Sequence, residues 1–153
     1  MNRKKQVLFL TLYYLDDISL GNACQVNKKF YREICNHIWL QRLKQTYGNL
    51  IGEFPDKVKA KSYQEQYILL KGLESLKTLK TFNIFTSNPL RDLTLLDIYQ
   101  LKTVNLSYLC KLPRGIGQLE NLQELYVDNN QLIEILQPSN FLRYLRIKRV
   151  VVI

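Results

Sequence analysis

Histidine, tryptophan and methionine occur once each in this chain, cysteine three times and proline four times. Each scarcity removes a class of function. The cysteines, Cys24, Cys35 and Cys110, form no Cys-x-x-Cys pair and have no histidine cluster near them, His37 being the only histidine, so no metal-ligand spacing exists. An odd cysteine count of this kind points to free thiols, each a small buried apolar residue, in a reducing compartment. A cytoplasmic or nuclear location is therefore expected. The sequence has no Gly-rich phosphate loop and no nucleophile with an orienting base, so neither catalysis nor a metal or cofactor is expected. A lone histidine beside Trp39 is more often a surface or packing residue than a general base.

Long apolar runs are missing too. The stretch Val7 to Leu15, broken only by Thr11, is nine residues, against roughly 20 for a bilayer span. Arg3, Lys4 and Lys5 before it mimic a signal peptide. Asp16 and Asp17 follow at once, however, and no small-residue cleavage site is there. The run reads as a buried helix, and no membrane association is expected.

What is present is globular. The 153 residues make one average domain or two small ones, and 46% apolar with 23% charged residues argues against disorder. The net charge of +9 divides into +6 over residues 1–78 and +3 over residues 79–153. A scattered surplus reads as solvated lysines, which ranks nucleic acid below protein as a partner.

The second half carries an apparent repeat. A Leu-x-x-Leu-x-Leu template fits Leu79, Phe82 and Ile84; Leu101, Val104 and Leu106; Leu122, Leu125 and Val127; and Leu142, Leu145 and Ile147. The marks Phe82, Val104, Leu125 and Leu145 are 22, 21 and 20 residues apart. Alternating side chains would put two apolar residues of each unit on one face, which stacking could bury. The stretch from Leu112-Pro113 through Ile116 and Leu125 to Asn130 closely resembles the leucine-rich-repeat consensus. In the first two units, Asn88 and Cys110 fall one residue late. The fourth unit ends, uncapped, on Val150-Val151-Val152-Ile153, an edge for a partner to cover or the end of a shortened array. The resemblance implies four parallel strands over residues 79–153. Three outward rows would then form a substrate-binding concave face: Thr81, Thr103, Glu124 and Tyr144; Asn83, Asn105, Tyr126 and Arg146; Phe85, Ser107, Asp128 and Lys148. Asn105-Leu106-Ser107 matches a glycosylation sequon but falls within an expected strand, so it is discounted.

The first half has a helical rhythm. Leu20, Ala23 and Cys24 share a face, Phe30 and Ile34 are four apart, and Trp39 and Leu43 are four apart. Asp17 or Ser19 can cap the helix start. Three short helices follow over residues 5–47. Residues 48–78 read as a loop with Gly48, Gly52 and Pro55, then a connecting helix opened by a capping box at Ser62-Tyr63-Gln64-Glu65. Tyr14-Leu15, Asp16-Asp17, Leu20, Val26-Asn27-Lys28, Phe30 and Trp39 together resemble the F-box. The usual Leu-Pro before the first helix is absent, and basic residues stand there instead.

F-box followed by leucine-rich repeats is an architecture of eukaryotes and of the large DNA viruses that infect them. The combined fold expectation is α+β: a small helical bundle, then a short solenoid. The resemblance implies a substrate-receptor subunit of an SCF-type ubiquitin ligase. Leu15, Leu20, Val26 and Trp39 would meet a Skp-type adaptor, and the repeats would hold a substrate protein. One alternative is a repeat module whose N-terminal helices only cap the array. Another is a basic nucleic-acid-binding protein.

Overall fold

A computed structural model describes residues 3–79, 88–106, 114–127 and 149–152. It divides into two units, residues 1–68 and 69–153. The division falls inside the helix Tyr63–Lys77.

The first unit opens with α1 (Arg3–Tyr13) and α2 (Asp17–Ala23). Asp16 caps α2, accepting from the backbone N–H of Ile18 and Ser19 at 3.0 and 2.9 Å. The capping role expected of Asp17 or Ser19 thus belongs to their neighbour. Asn27 caps α3 (Lys28–Phe30) by accepting from Phe30 N–H at 2.7 Å. The helix then passes through a π turn, Tyr31–Cys35, into α4 (Asn36–Tyr47). Gly48 ends α4 at φ 58°, where a side chain would be strained, and donates to the Lys44 carbonyl. A 3-10 turn, Leu50–Glu53, leads to α5 (Asp56–Lys59) and α6 (Tyr63–Lys77). The capping box at the start of α6 is formed: Ser62 N–H and Oγ donate to Glu65, and Glu65 N–H donates back to Ser62 Oγ. Leu20, Ile38, Trp39, Leu43, Phe54 and Val58 fill this core.

Two expectations fail here. Cys24 and Cys35 are joined in a disulfide with their Cα atoms 5.7 Å apart, so they are not free thiols. The pairing escapes a spacing rule because the end of α2 meets the π turn only in the fold. The run from Val7 is helical but not buried: Val7, Leu8 and Leu10 are exposed, and Leu12 alone of α1 is buried.

The second unit contains the rest of α6, then α7 (Leu95–Gln100), capped by a reciprocal Thr94–Asp97 box. Three strands follow: β1 (Thr103–Asn105), β2 (Glu124–Val127) and β3 (Arg149–Val152). They form a parallel sheet in that order. A 3-10 turn, Arg114–Gln118, precedes β2. Gly115 lies so close to α6 that a Cβ there would run into the Gly72 carbonyl oxygen and the Ser75 hydroxyl. Buried Asn88 donates to the Leu76 carbonyl at 2.7 Å and accepts from Leu90 N–H at 2.9 Å.

The leucine-rich-repeat solenoid is overturned. The described residues are mostly helical, their strands are few and short, and no stack of four appears among them. Val104 pairs with Leu125, at the spacing of the template, but Leu125 pairs with Val150 and not Leu145. The expected strands at Phe82–Ile84 and Leu142–Ile147 lie outside the described residues. Two physical reasons explain the failure. Apolar residues three apart satisfy a helix as well as the template, as Leu95 and Ile98 do in α7. A run of β-branched valines is also the pattern of a parallel strand, so Val150–Val152 competes for the edge of β2 and wins. Among the described residues, no helix is long and apolar enough to cross a membrane.

Candidate interaction surface

The two faces of α1 have opposite fates. On one face Leu12 is buried, the Phe9 ring lies 6.0 Å from His37, and the Tyr13 hydroxyl donates to Gln45 at 2.7 Å. Lys5 adds an ion pair to Glu33 at 2.6 Å, which holds the Glu33 carboxyl below its ordinary pKa. These contacts set α1 against the run from the π turn into α4. Val7, Leu10 and Tyr14, at helical spacing, therefore point away from it. They are 60%, 55% and 82% exposed.

Arg42 fixes the turn that follows. Its guanidinium donates to the Asp17 carboxylate at 2.5 Å and to the Tyr13 carbonyl at 2.9 Å, and it also bonds the Leu15 carbonyl. The same group sits 5.5 Å over the Trp39 ring. With the carbonyls on either side of it held, Tyr14 is directed outward. The Asp16 cap then orients α2 so that Leu20 is fully buried and Ile18 is 75% exposed. Hydrogen bonds from the Ser19 hydroxyl and N–H keep the Asp16 carboxyl below its usual range, so the cap is charged at neutral pH. Beyond α2, Val26 is 73% exposed.

Val7, Leu8, Leu10, Tyr14, Ile18 and Val26 thus stand in solvent within the first 26 residues. Of the four residues expected to meet an adaptor, Val26 is exposed and Leu15 half-buried. Leu20 and Trp39 have no exposed surface and are core residues of the unit. Val7, Leu10, Tyr14 and Ile18 take their place as the accessible groups, with Arg42 as the positioning group. The run from Val7 was visible in the sequence; its exposure was not.

The expected concave face is only partly within view. Thr103 and Asn105 are exposed and pair directly with half-buried Glu124 and Tyr126. The Tyr126 hydroxyl donates to Glu124 at 3.1 Å. In the next strand, Arg149 and Val151 stand where Tyr144 and Arg146 were expected. Thr81, Asn83, Phe85, Ser107, Asp128, Tyr144, Arg146 and Lys148 lie outside the described residues. Among the described residues, no group of three or more His, Cys, Asp or Glu side chains could hold a metal ion. No protein-family model, curated protein or solved structure matches this chain.

Proposed function

We propose that the chain is a protein-binding adaptor whose N-terminal helical unit docks on a partner protein. The observation that carries this is the exposure of Val7, Leu10, Tyr14, Ile18 and Val26 on one small unit. Aromatic and aliphatic groups of this kind are the anchors of protein interfaces. The resemblance of the same segment to an F-box, in which Tyr14 and Val26 take part, makes the partner a Skp-type adaptor of an SCF-type ubiquitin ligase. The second unit would then hold the substrate, with the polar row Thr103, Asn105, Glu124 and Tyr126 as its contact. The role needs no catalytic group, and it would place the chain with the ligase in the cytoplasm or nucleus, a location that now rests on the adaptor reading and not on free thiols.

The test is retention of a purified Skp-type adaptor by the immobilised chain. Ile18→Asp and Val26→Asp are the variants to compare, because both positions are exposed and their circular dichroism should match wild type. Leu20→Asp is uninformative, since it places a charge in the core. Binding by wild type and loss in both variants supports the proposal. A correctly folded wild type that retains no adaptor rejects the ligase role.

A further inference from the structure

Beside the disulfide lies a cavity of 420 Å³ lined by Cys24, Gln25, Asn27, Lys28, Tyr31 and Arg32. This volume falls within the range of about 300–1,000 Å³ for small-molecule pockets. We propose that the Cys24–Cys35 bond is a reversible thiol–disulfide exchange site for an anionic low-molecular-weight thiol of the glutathione class, which docks in this cavity. The inference does not rest on the adaptor role.

Three observations combine. The first is charge. Lys28 and Arg32 are four residues apart on one helical run and both are exposed. Among the described residues neither forms an ion pair, while nearby Glu33 is engaged by Lys5 at 2.6 Å and Lys29 at 4.0 Å. Two cationic residues in the lining suit a ligand that carries carboxylates, and they favour the thiolate form of an incoming thiol. The second is the asymmetry of the bond. Cys24, itself only 3% exposed, lines the cavity, whereas Cys35 has no exposed surface and lies in the π turn. An incoming thiolate is therefore directed to the Cys24 sulfur. The third is the lining itself: it is mainly apolar, with Tyr31 as part of the wall, and Gln25 and Asn27 add amide groups, the Asn27 Oδ1 being already taken by the α3 cap.

The chemistry balances as ordinary exchange. The thiolate attacks Cys24 Sγ. A mixed disulfide forms as the Cys24–Cys35 bond breaks, and Cys35 leaves as a thiolate that takes a proton from solvent. A second thiol then attacks the mixed disulfide and releases the oxidised small molecule. Two electrons pass to the protein, which becomes a dithiol. The oxidised small-molecule disulfide drives the reverse reaction.

The experiment uses the full chain in a Cys110→Ser background, so that the third thiol does not report. The rate of disulfide reduction is measured with glutathione and with uncharged 2-mercaptoethanol. Lys28→Glu combined with Arg32→Glu should slow the glutathione reaction by about tenfold and leave the 2-mercaptoethanol rate within about twofold of wild type. In a second arm, oxidised glutathione is added to Cys35→Ser and to Cys24→Ser, and peptides are mapped by mass spectrometry. An adduct on Cys24 and none on Cys35 is expected. Equal slowing with both thiols, no slowing with either, or preferential modification of Cys35 overturns the proposal. Within one background the rate comparison changes only the exposed Lys28 and Arg32, so it decides the matter even if Cys24→Ser or Cys35→Ser does not fold.

Discussion

Replacing Arg42 by alanine should destabilise the first unit more than any other surface-charge substitution in it. The side chain is 13% exposed and bonds Asp17, which is 26% exposed, together with the Tyr13 and Leu15 carbonyls. A hydrogen bond to a charged group contributes about 1.5–3 kcal/mol net. The three do not add, because Asp17 and the carbonyls regain water once the guanidinium is gone. A loss of about 2–4 kcal/mol is expected. That is a large share of the roughly 5–15 kcal/mol that holds a domain folded. With a urea slope of about 1–3 kcal/mol per molar, the midpoint should fall by about 1–2 M. Trp39, the only tryptophan, lies under Arg42 in the same unit, so its fluorescence reports this transition specifically. Arg42→Lys should recover less than half of the loss, because an ammonium lacks the planar fork that reaches three acceptors. A midpoint for Arg42→Ala corresponding to less than about 0.5 kcal/mol, the ordinary surface value, would refute the clamp.

Leu20→Ala should cost about 2–5 kcal/mol, since the side chain is fully buried, while Ile18→Ala two residues earlier should stay within about 0.5 kcal/mol in urea titration. Gly115→Ala should cost about 1–3 kcal/mol by thermal or urea unfolding, because its methyl group meets backbone that cannot yield, whereas Gly117→Ala, with open space around it, should be tolerated. Asp16, Glu33, Glu65 and Asp97 all have carboxyls held below their ordinary values, chiefly by hydrogen bonds from Ser19, Lys5, Ser62 and Thr94 in turn. The unfolded chain therefore binds more protons in the acid range. The stability these groups contribute is complete above the ordinary carboxylate values and is lost as pH falls through the lowered ones. Urea midpoints from neutral pH down to pH ~3 should decline, and amide substitutions at the four positions should flatten that decline.

Local features of the chain were legible because they depend on neighbours. The capping box at Ser62 and Glu65 and the helix carrying Trp39 and Leu43 need only a few residues of context. The helical character of the run from Val7 was likewise readable. Its burial was not, because α1 needs only Leu12 and its neighbours to pack on the run into α4. The repeat failed because one spacing satisfies two geometries. Leucines three apart fit a helix face and a strand-entry template equally, and the neighbour of Leu125 on the side away from Val104 is Val150, a choice made by pairing across the chain.

By itself, then, the amino-acid order determined that the first half is helical, that Ser62 and Glu65 box the start of α6, and that the chain contains enough apolar surface for a core. Those outcomes follow from backbone hydrogen bonding and side-chain period over a few residues. Tertiary structure alone decided that Cys24 meets Cys35, that Arg42 reaches back 25 to 29 residues to the α1–α2 turn, and which apolar side chains remain in solvent. Such contacts join segments distant in sequence. Their free energy depends on how separate elements pack, which no local pattern records.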